Sequence, residues 1–570
     1  MNQIWPAIKR DFARCWKRLF LANLFFKIIA FVLLTPLVAG LFRLLVTFSG
    51  EAVLADQEIA FFFLSPIGWL CLIVLGSVWL AIGAMELATL ISIVAVPETK
   101  TVRPLEALRF SAGKSWQIIQ VTARMVGIGL LILAPFLIAA AIAYFTLLSE
   151  HDINFYLTER PPEFIAAIVI AALIVVALFL LFLRLYANWF YAVPLVLLED
   201  VAPARALRLS RERTTGHRRR IVIWLAGWLL VTTIVSSLTA GVVIGVSRWL
   251  VPAFSGSLST LVVAAGVSLL VWALVNLAVT LFTDSTFALL NFSFYRQLGA
   301  SDEFAPDQLP IGKQDSNQPL LRITRTRVIV AGVIGVVIAI ALGAAMVGSI
   351  RFEDQVEIMA HRGASAAAPE NTMAAVRQAI VDDADWVEID VQETADGEVV
   401  VFHDSDFMKL ARNPLKIWEA TMDDLQHIDI GSWFDPRFSN ERVPTLRQVL
   451  EECQGKIGVN IELKYYGHDK QLEQRVVDIV EECGMQNEIV VMSLKMDAVR
   501  KMKSLRPDWR VGLLMSVAAG NLKDIEADFL AINASFVDFS FVQSAHSIGK
   551  QVFVWTVNDA VGMSRMISKG

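Results

Sequence analysis

The polar residues that could do chemistry fall between His361 and Asn558, in short groups. His361 and Arg362 stand in H-R-G, Glu370 in P-E-N-T, Glu388 and Asp390 in E-x-D, and His403 with Asp404 in H-D. Further on, Glu462 and Lys464 form E-x-K, and Trp555 and Asn558 bound W-T-V-N. Side chains alternate across a strand, so the members of an E-x-D or E-x-K pair project from one face. Three carboxylates (Glu388, Asp390 and Glu462) aimed into one space repel one another unless a cation lies between them. Oxygen donors suit a hard ion, Ca²⁺ or Mg²⁺, better than zinc. Arg362 and Lys464 add positive charge suited to a phosphate, and His361 and His403 can divide general-base and general-acid duties. Metal site, cationic clamp and two histidines describe cleavage of a phosphodiester. Taken singly, each group has an ordinary explanation: a solvated histidine, a polar strand edge, an ion pair. The ordered set carries the reading.

These groups need a frame that brings them to one place. "VEIMAHRG" is followed by a helical stretch from about Thr372, and "DWVEIDVQET" turns at Ala395-Asp396-Gly397 into "EVVVFHD". After an irregular insertion at about 405–455 come "KIGVNIELK", "EIVVMSL", "RVGLLMS", "FLAIN" and "QVFVWTV", separated by helical stretches. Alternating strand and helix implies a parallel sheet, and this many units in one domain implies a (β/α)₈ TIM barrel. Apart from P-E-N-T, these polar groups lie at or near the C-terminal ends of strands, where barrel enzymes build their sites.

The preceding 350 residues are of another kind. The chain of 570 residues is 55% hydrophobic, with a mean hydropathy of +0.56. From Arg351 onward, 23 Lys and Arg face 36 Asp and Glu, a net of −13; the first 350 residues carry +8. A basic membrane part thus precedes an acidic soluble one, whose charge argues against nucleic acid as a partner. Apolar runs long enough to span a bilayer, about 20 residues, occur at roughly 20–46, 62–96, 118–148, 163–198, 221–250, 258–292 and 327–349. The expectation is a polytopic domain of about seven helices over 1–350 and a catalytic domain over 351–570. Basic and acidic connections alternate without a break, which predicts a cytoplasmic N-terminus and an extracytoplasmic catalytic domain. The first apolar run has no small-residue cleavage site after it and reads as an uncleaved anchor. Lys27, Arg43, Arg124 and Arg184 read as snorkelling near span ends, leaving Asp284 as the exceptional intramembrane charge. "PLEALRFS" at Pro104–Ser111 returns as "PARALRLS" at Pro203–Ser210. A duplicated two-span unit explains this, as does chance likeness of short amphipathic helices. Four cysteines without C-x-x-C spacing suggest neither zinc nor a redox motif.

"AHRGASAAAPENT", "VEIDVQET" with "DGEVVVFHD", "NIELK" and "VWTVND" resemble the glycerophosphodiester phosphodiesterases, over about Glu357 to the C-terminus. The multi-span region resembles the membrane domain attached to some bacterial members. The resemblance implies a TIM barrel, one divalent ion, and hydrolysis of a glycerophosphodiester to an alcohol and sn-glycerol 3-phosphate. It implies Glu388, Asp390 and Glu462 as metal ligands and His361 and His403 as the acid/base pair. Arg362 and Lys464 then match phosphate contacts, Glu370 an acid near the site, and Trp555 an aromatic lining the glycerol. Members continue past the helix at about Ala560–Ser568 into a last strand, so this chain is expected to show seven parallel barrel strands and lack the eighth. The competing expectation is a transporter or assembly protein whose barrel only binds glycerophosphodiesters or polymer ends.

Overall fold

Residues 4–41, 53–55, 65–314 and 356–570, less a few positions inside those ranges, are described by the computed structural model. The chain divides into two compact units. One comprises Met1–Phe48, Phe63–Leu137 and Ile174–Ser349, and the other joins Ser49–Phe62 and Ile138–Leu173 to Ile350–Gly570.

Six described helices are long and apolar enough to cross a membrane: Ile4–Val38, Pro66–Val94, Ser115–Leu147, Pro162–Leu198, Arg218–Leu250 and Gly266–Gly299. The expected seventh run, 327–349, lies outside the described residues. Bulky side chains such as Leu131, Leu173 and Trp249 point outward, while Ala81, Ala84, Ala88 and Ser92 are buried. That inversion suits helices in lipid, where close backbone approach across small residues drives packing. Lys27 does not snorkel. Its Nζ lies 2.8 Å from carboxylate oxygens of both Glu86 and Asp284, and Asn23 donates to Asp284 at 3.3 Å. Three helices share one polar knot, because an unpaired charge in an apolar span is costly.

The two similar octapeptides fold alike. Each begins a short helix at a proline, Pro104–Gly113 and Pro203–Thr214. Ala107 and Ala206 are fully buried, as are Ser111 and Ser210. Each serine Oγ bonds a residue 22 positions earlier: Ser111 to Thr89 at 2.7 Å, and Ser210 to the Asn188 carbonyl at 2.7 Å. Shared burial and shared anchoring favour duplication over chance.

In the other unit, seven strands run parallel. Their order is Gln551–Trp555, Phe529–Asn533, Val511–Met515, Ile489–Ser493, Gly458–Leu463, Trp386–Glu393 and Met359–Ala360. Val399–Val401 pairs antiparallel with Trp386–Glu393 and is a hairpin arm outside the parallel set. The chain is therefore a multi-span helical membrane part followed by a TIM-barrel-like part with seven parallel strands among the described residues. Alternation sorts the side chains as expected. Val387, Ile389, Val391, Val459, Ile461 and Leu463 join the apolar layer beneath the helices. Residues of the other parity, including Val490, Met492, Leu514, Phe529 and Ala531, fill the interior. Within the insertion, Phe407, Leu410, Ile417, Leu425 and Ile430 form a small core of their own, while Leu446, Val449, Leu450 and Cys453 join the main barrel core.

Two segments from between membrane helices fold with the barrel. Val53–Ala55 pairs antiparallel with Ala518–Gly520. The connection between Leu147 and Pro162 forms a short helix, Ile153–Glu159, and bonds to barrel residues.

Interior packing sets large against small across neighbouring strands. Gly512 pairs with Phe529, and a Cβ on Gly512 would meet that ring at 2.1 Å. Gly512→Ala should therefore destabilise the barrel by about 1–3 kcal/mol through overpacking. Chemical denaturation of the full chain, followed by the fluorescence of its tryptophans, checks this; an unchanged midpoint would contradict the packing argument.

Candidate active site

The site begins with strand register. Asp390 pairs with Glu462 and Glu388 with Asn460 on adjacent parallel strands. Glu388 lies two residues before Asp390 and so shares its face. Ligand oxygens of Glu388, Asp390 and Glu462 consequently lie within 4.8 Å of one another, all three residues buried. Glu388 Oε1 and Asp390 Oδ1 are buried without a hydrogen-bond partner. Burial first, then the charges of Asp390 and Glu462, push the Glu388 carboxyl well above its ordinary range. Burial likewise raises Glu462, against the pull of Lys464. For Asp390 burial acts upward too, but His403, Lys464 and Arg362 outweigh it and hold the group ionised. Orphaned buried oxygens on two of three crowded carboxylates, Glu388 and Asp390, fit a hard divalent cation, which would supply the missing positive charge.

The H-R-G turn closes over these acids. Arg362 and Gly363 both take left-handed backbone, with φ of 56° and 77°. A Cβ on Gly363 would meet Ala375 at 2.6 Å, so only glycine lets the turn pack on the following helix. The Arg362 backbone N–H donates to Glu388 Oε2 at 2.8 Å, and Gly363 N–H to the Glu388 carbonyl at 3.1 Å. The Arg362 side chain donates to Glu370 at 3.1 Å and lies 3.5 Å from Asp390. Lys409, from the insertion, donates to the same Glu370 oxygen at 2.8 Å. Glu370 thus gathers two cations at the rim. His361 Nε2 is 3.9 Å from Glu388, with 39% of the side chain exposed. Burial, then the Arg362 charge, lowers its pKa and leaves the ring neutral at pH 7.

His403 stands on the hairpin side. Its Nδ1 is 2.6 Å from Asp404 Oδ1, and its Nε2 is 3.0 Å from Lys464 Nζ. Lys464 also donates to Glu462 at 2.9 Å and lies 3.5 Å from Asp390. Despite burial, its ammonium is favoured by Asp390 and Glu462 and stays charged. Asp404 is held ionised: burial opposes this, but the His403 bond and charge prevail. Gln392 secures the segment by donating to the carbonyls of Phe402 and Asp404, both at 2.8 Å.

Eight of the nine expected residues converge here. Trp555 ends the strand at the other edge of the sheet order, packed against the interior cluster with Phe553. Among the described residues no hydrogen bond or ion pair joins it to the acids, and its indole Nε1 is buried without a partner.

The chain matches the sequence model of the glycerophosphoryl diester phosphodiesterase family over residues 361–570. It also matches that of the membrane domain of glycerophosphoryl diester phosphodiesterase over 5–340. The chain belongs to the glycerophosphodiester phosphodiesterase family. It is 31% identical over 228 residues to the glycerophosphodiester phosphodiesterase of Caldanaerobacter subterraneus, covering 37% of this chain and 90% of that protein. It is 25% identical over 256 residues to the Bacillus subtilis enzyme of the same name, covering 40% and 86%. Among solved structures, it is similar to an Oleispira antarctica phosphodiesterase in complex with the product sn-glycerol-3-phosphate. That likeness has a TM-score of 0.36 and 28% identity, covering 38% of this chain and 90% of the other. This phosphodiesterase is therefore a multi-pass membrane enzyme.

Several polar residues around the phosphodiesterase site were not singled out from sequence. Asn371, beside Glu370 in P-E-N-T, donates to Asp390 Oδ2 at 2.8 Å and accepts from the Asp390 backbone N–H at 3.2 Å. Its φ of 55° places it, a conformation asparagine tolerates. Tyr466 donates to the His403 carbonyl at 2.8 Å. Lys409, Asp152 and Asn154 come from elements remote in sequence. Asp152, His403 and Asp404 also bring ligand atoms within 4.8 Å. Protein donors already stand on both Asp152 oxygens, Asn154 at 2.9 Å and Tyr466 at 3.0 Å, so this group reads as a hydrogen-bond network.

Asn371→Ala removes both bonds to Asp390 and should lower activity or divalent-ion affinity roughly 10- to 100-fold. Steady-state kinetics across a divalent-ion titration measure it. Wild-type values in this variant would mean that Asp390 needs no such support.

Proposed function

We propose that the enzyme hydrolyses glycerophosphodiesters outside the cytoplasm, using a divalent cation, Ca²⁺ or Mg²⁺, held by Glu388, Asp390 and Glu462. One observation carries the reading: three buried carboxylates brought to one face by strand register, two of them with orphaned oxygens, flanked by two cations and two histidines. A cation bound there would neutralise the acids and polarise a phosphoryl oxygen. Arg362 and Lys464 supply donors for the remaining phosphate oxygens. The parts we assign are a membrane domain over 1–350 and a catalytic domain over 351–570, with Trp555 lining the glycerol side.

The protein groups suggest how protons move. His361, neutral at pH 7, can take the proton of the glycerol hydroxyl beside the phosphodiester. That oxygen bonds to phosphorus as the bond to the leaving alcohol breaks. His403, whose Nδ1 faces Asp404, returns a proton to the departing oxygen. Water then opens the cyclic phosphate with the two rings exchanging roles, releasing sn-glycerol 3-phosphate. Arg362, fixed by Glu370, holds the phosphate while this occurs. His403→Ala should abolish turnover while leaving divalent-ion binding, read by calorimetry, intact. Glu462→Gln should lose both. Undiminished release of glycerol 3-phosphate by the His403 variant refutes its role.

The outside location is supported by the charge alternation of the connections and by chain geometry. Two connections read as outside, at 53–55 and 150–159, bond to the barrel, which supports one side for all three. Between 160 and 357 the crossings must then be even in number. Three described helices and the run at 327–349 satisfy that. In a Cys483→Ser background, an impermeant thiol reagent on intact cells should label a cysteine replacing the exposed Ser439 but not one replacing Arg208, whose side chain is 85% exposed. The opposite pattern places the catalytic domain in the cytoplasm.

A further inference from the structure

The barrel does not complete the surroundings of His403 by itself. Asn154, on the connection between the third and fourth membrane helices, donates its side-chain N–H to Asp404 Oδ1 at 2.9 Å. That is the oxygen that also faces His403 Nδ1 at 2.6 Å. The same Asn154 amide reaches to 3.5 Å from His403 Nδ1. Asp152 fixes Asn154 from below, accepting from its side chain at 2.9 Å and its backbone N–H at 3.0 Å. Its other oxygen lies 3.0 Å from the Tyr466 hydroxyl, whose single proton is shared between that oxygen and the His403 carbonyl at 2.8 Å. Both members of the His403–Asp404 pair are thus tied, one through its carboxylate and one through its backbone, to a segment about 250 residues upstream. The tie is anchored beyond the site. His151 Nδ1 lies 2.8 Å from Asp406, and Lys416 bridges Asp406 to the Glu150 carbonyl.

We propose that the Glu150–Glu159 connection is part of the active site, with Asp152 and Asn154 as positioning residues that hold the His403–Asp404 pair in its working orientation. The physical case is one of constraint. His403 lies on an irregular stretch after the short Val399–Val401 strand, so the sheet does not fix its ring. Asp404 Oδ1 must stay in line with Nδ1 for the ring to present Nε2 to the substrate, and its Oδ2 is buried without a partner. A second donor on Oδ1 restrains the carboxylate against rotation. Asn154 is the donor that does so, and Asp152 holds Asn154. Orientation of this kind acts on the transition state more than on ground-state binding. The connection runs at both ends into apolar helices, Ser115–Leu147 and Pro162–Asn188. The membrane part therefore contributes to catalysis as well as to anchoring.

The test uses the full chain in detergent or nanodiscs with a water-soluble glycerophosphodiester. Asn154→Ala should lower kcat roughly 10- to 100-fold, the cost expected of a misplaced catalytic group, with KM little changed. Asp152→Ala should act in the same direction, Asp152→Asn less, because it keeps an acceptor for Tyr466. Asn154→Gln retains the amide and should recover part of the loss. If the connection is only a structural clasp, Asn154→Ala will lower the melting temperature while kcat stays at the wild-type value, and the proposal is overturned. The idea rests on the reading of His403 as an acid/base group, and His403→Ala separates the two failures. Activity in that variant sinks both. Loss of activity there, with wild-type kcat in the Asp152→Ala/Asn154→Ala double variant, sinks this proposal alone.

Discussion

The pairing of Asp390 opposite Glu462 on adjacent parallel strands is the constraint from which the rest of the site follows. Because side chains alternate, a slip of one residue would turn Glu462 and Lys464 into the apolar layer and bring Ile461 and Leu463 to the mouth. Correct register instead concentrates three carboxylates in a space too small for their charges. Arg362, Lys464 and the expected cation answer that excess, and the turn at Arg362–Gly363 is itself held by Glu388 through two backbone bonds. Electrostatic stress among these acids is what a bound divalent cation would relieve.

Much of this was legible in the sequence because its physics is local and periodic. The E-x-D and E-x-K spacings imply a shared face wherever a strand forms, and the run of valines and isoleucines between them gives the other face to the helices. Setting "EVVVF" aside as a hairpin arm followed from the Ala395-Asp396-Gly397 turn, where Gly397 has a φ of 89°. That left seven parallel strands, the number found among the described residues. Asn371 was within reach, since it stood inside a motif already singled out; a side chain that orients a ligand looks no different in sequence from one that ends a turn.

Asp152 and Asn154 were not within reach. Their partners lie about 250 positions away, and a short acidic connection between two apolar helices reads as solvated when taken by itself. Lys27 failed for the same reason. Its place near the end of a span suggested snorkelling, whereas Glu86 and Asp284 come to it from two other helices. Pairings of this kind are decided by tertiary packing of rigid elements, and no local period encodes them.

The chain thus uses its membrane helices in two ways that call for different sequence rules. Inside the bilayer, small residues and one shared polar knot hold helices together, and conservative exchange of lipid-facing residues should matter little. Outside it, the connection at Glu150–Glu159 is held by hydrogen bonds around the His403–Asp404 pair. Asn154 sits only a few residues from Leu147 and Pro162, and its side chain bonds to Asp404. A flexible linker could tether a barrel to a membrane with none of these bonds. Their presence around His403, which stands beyond the end of its short strand, is the observation on which the proposed positioning role of the connection rests.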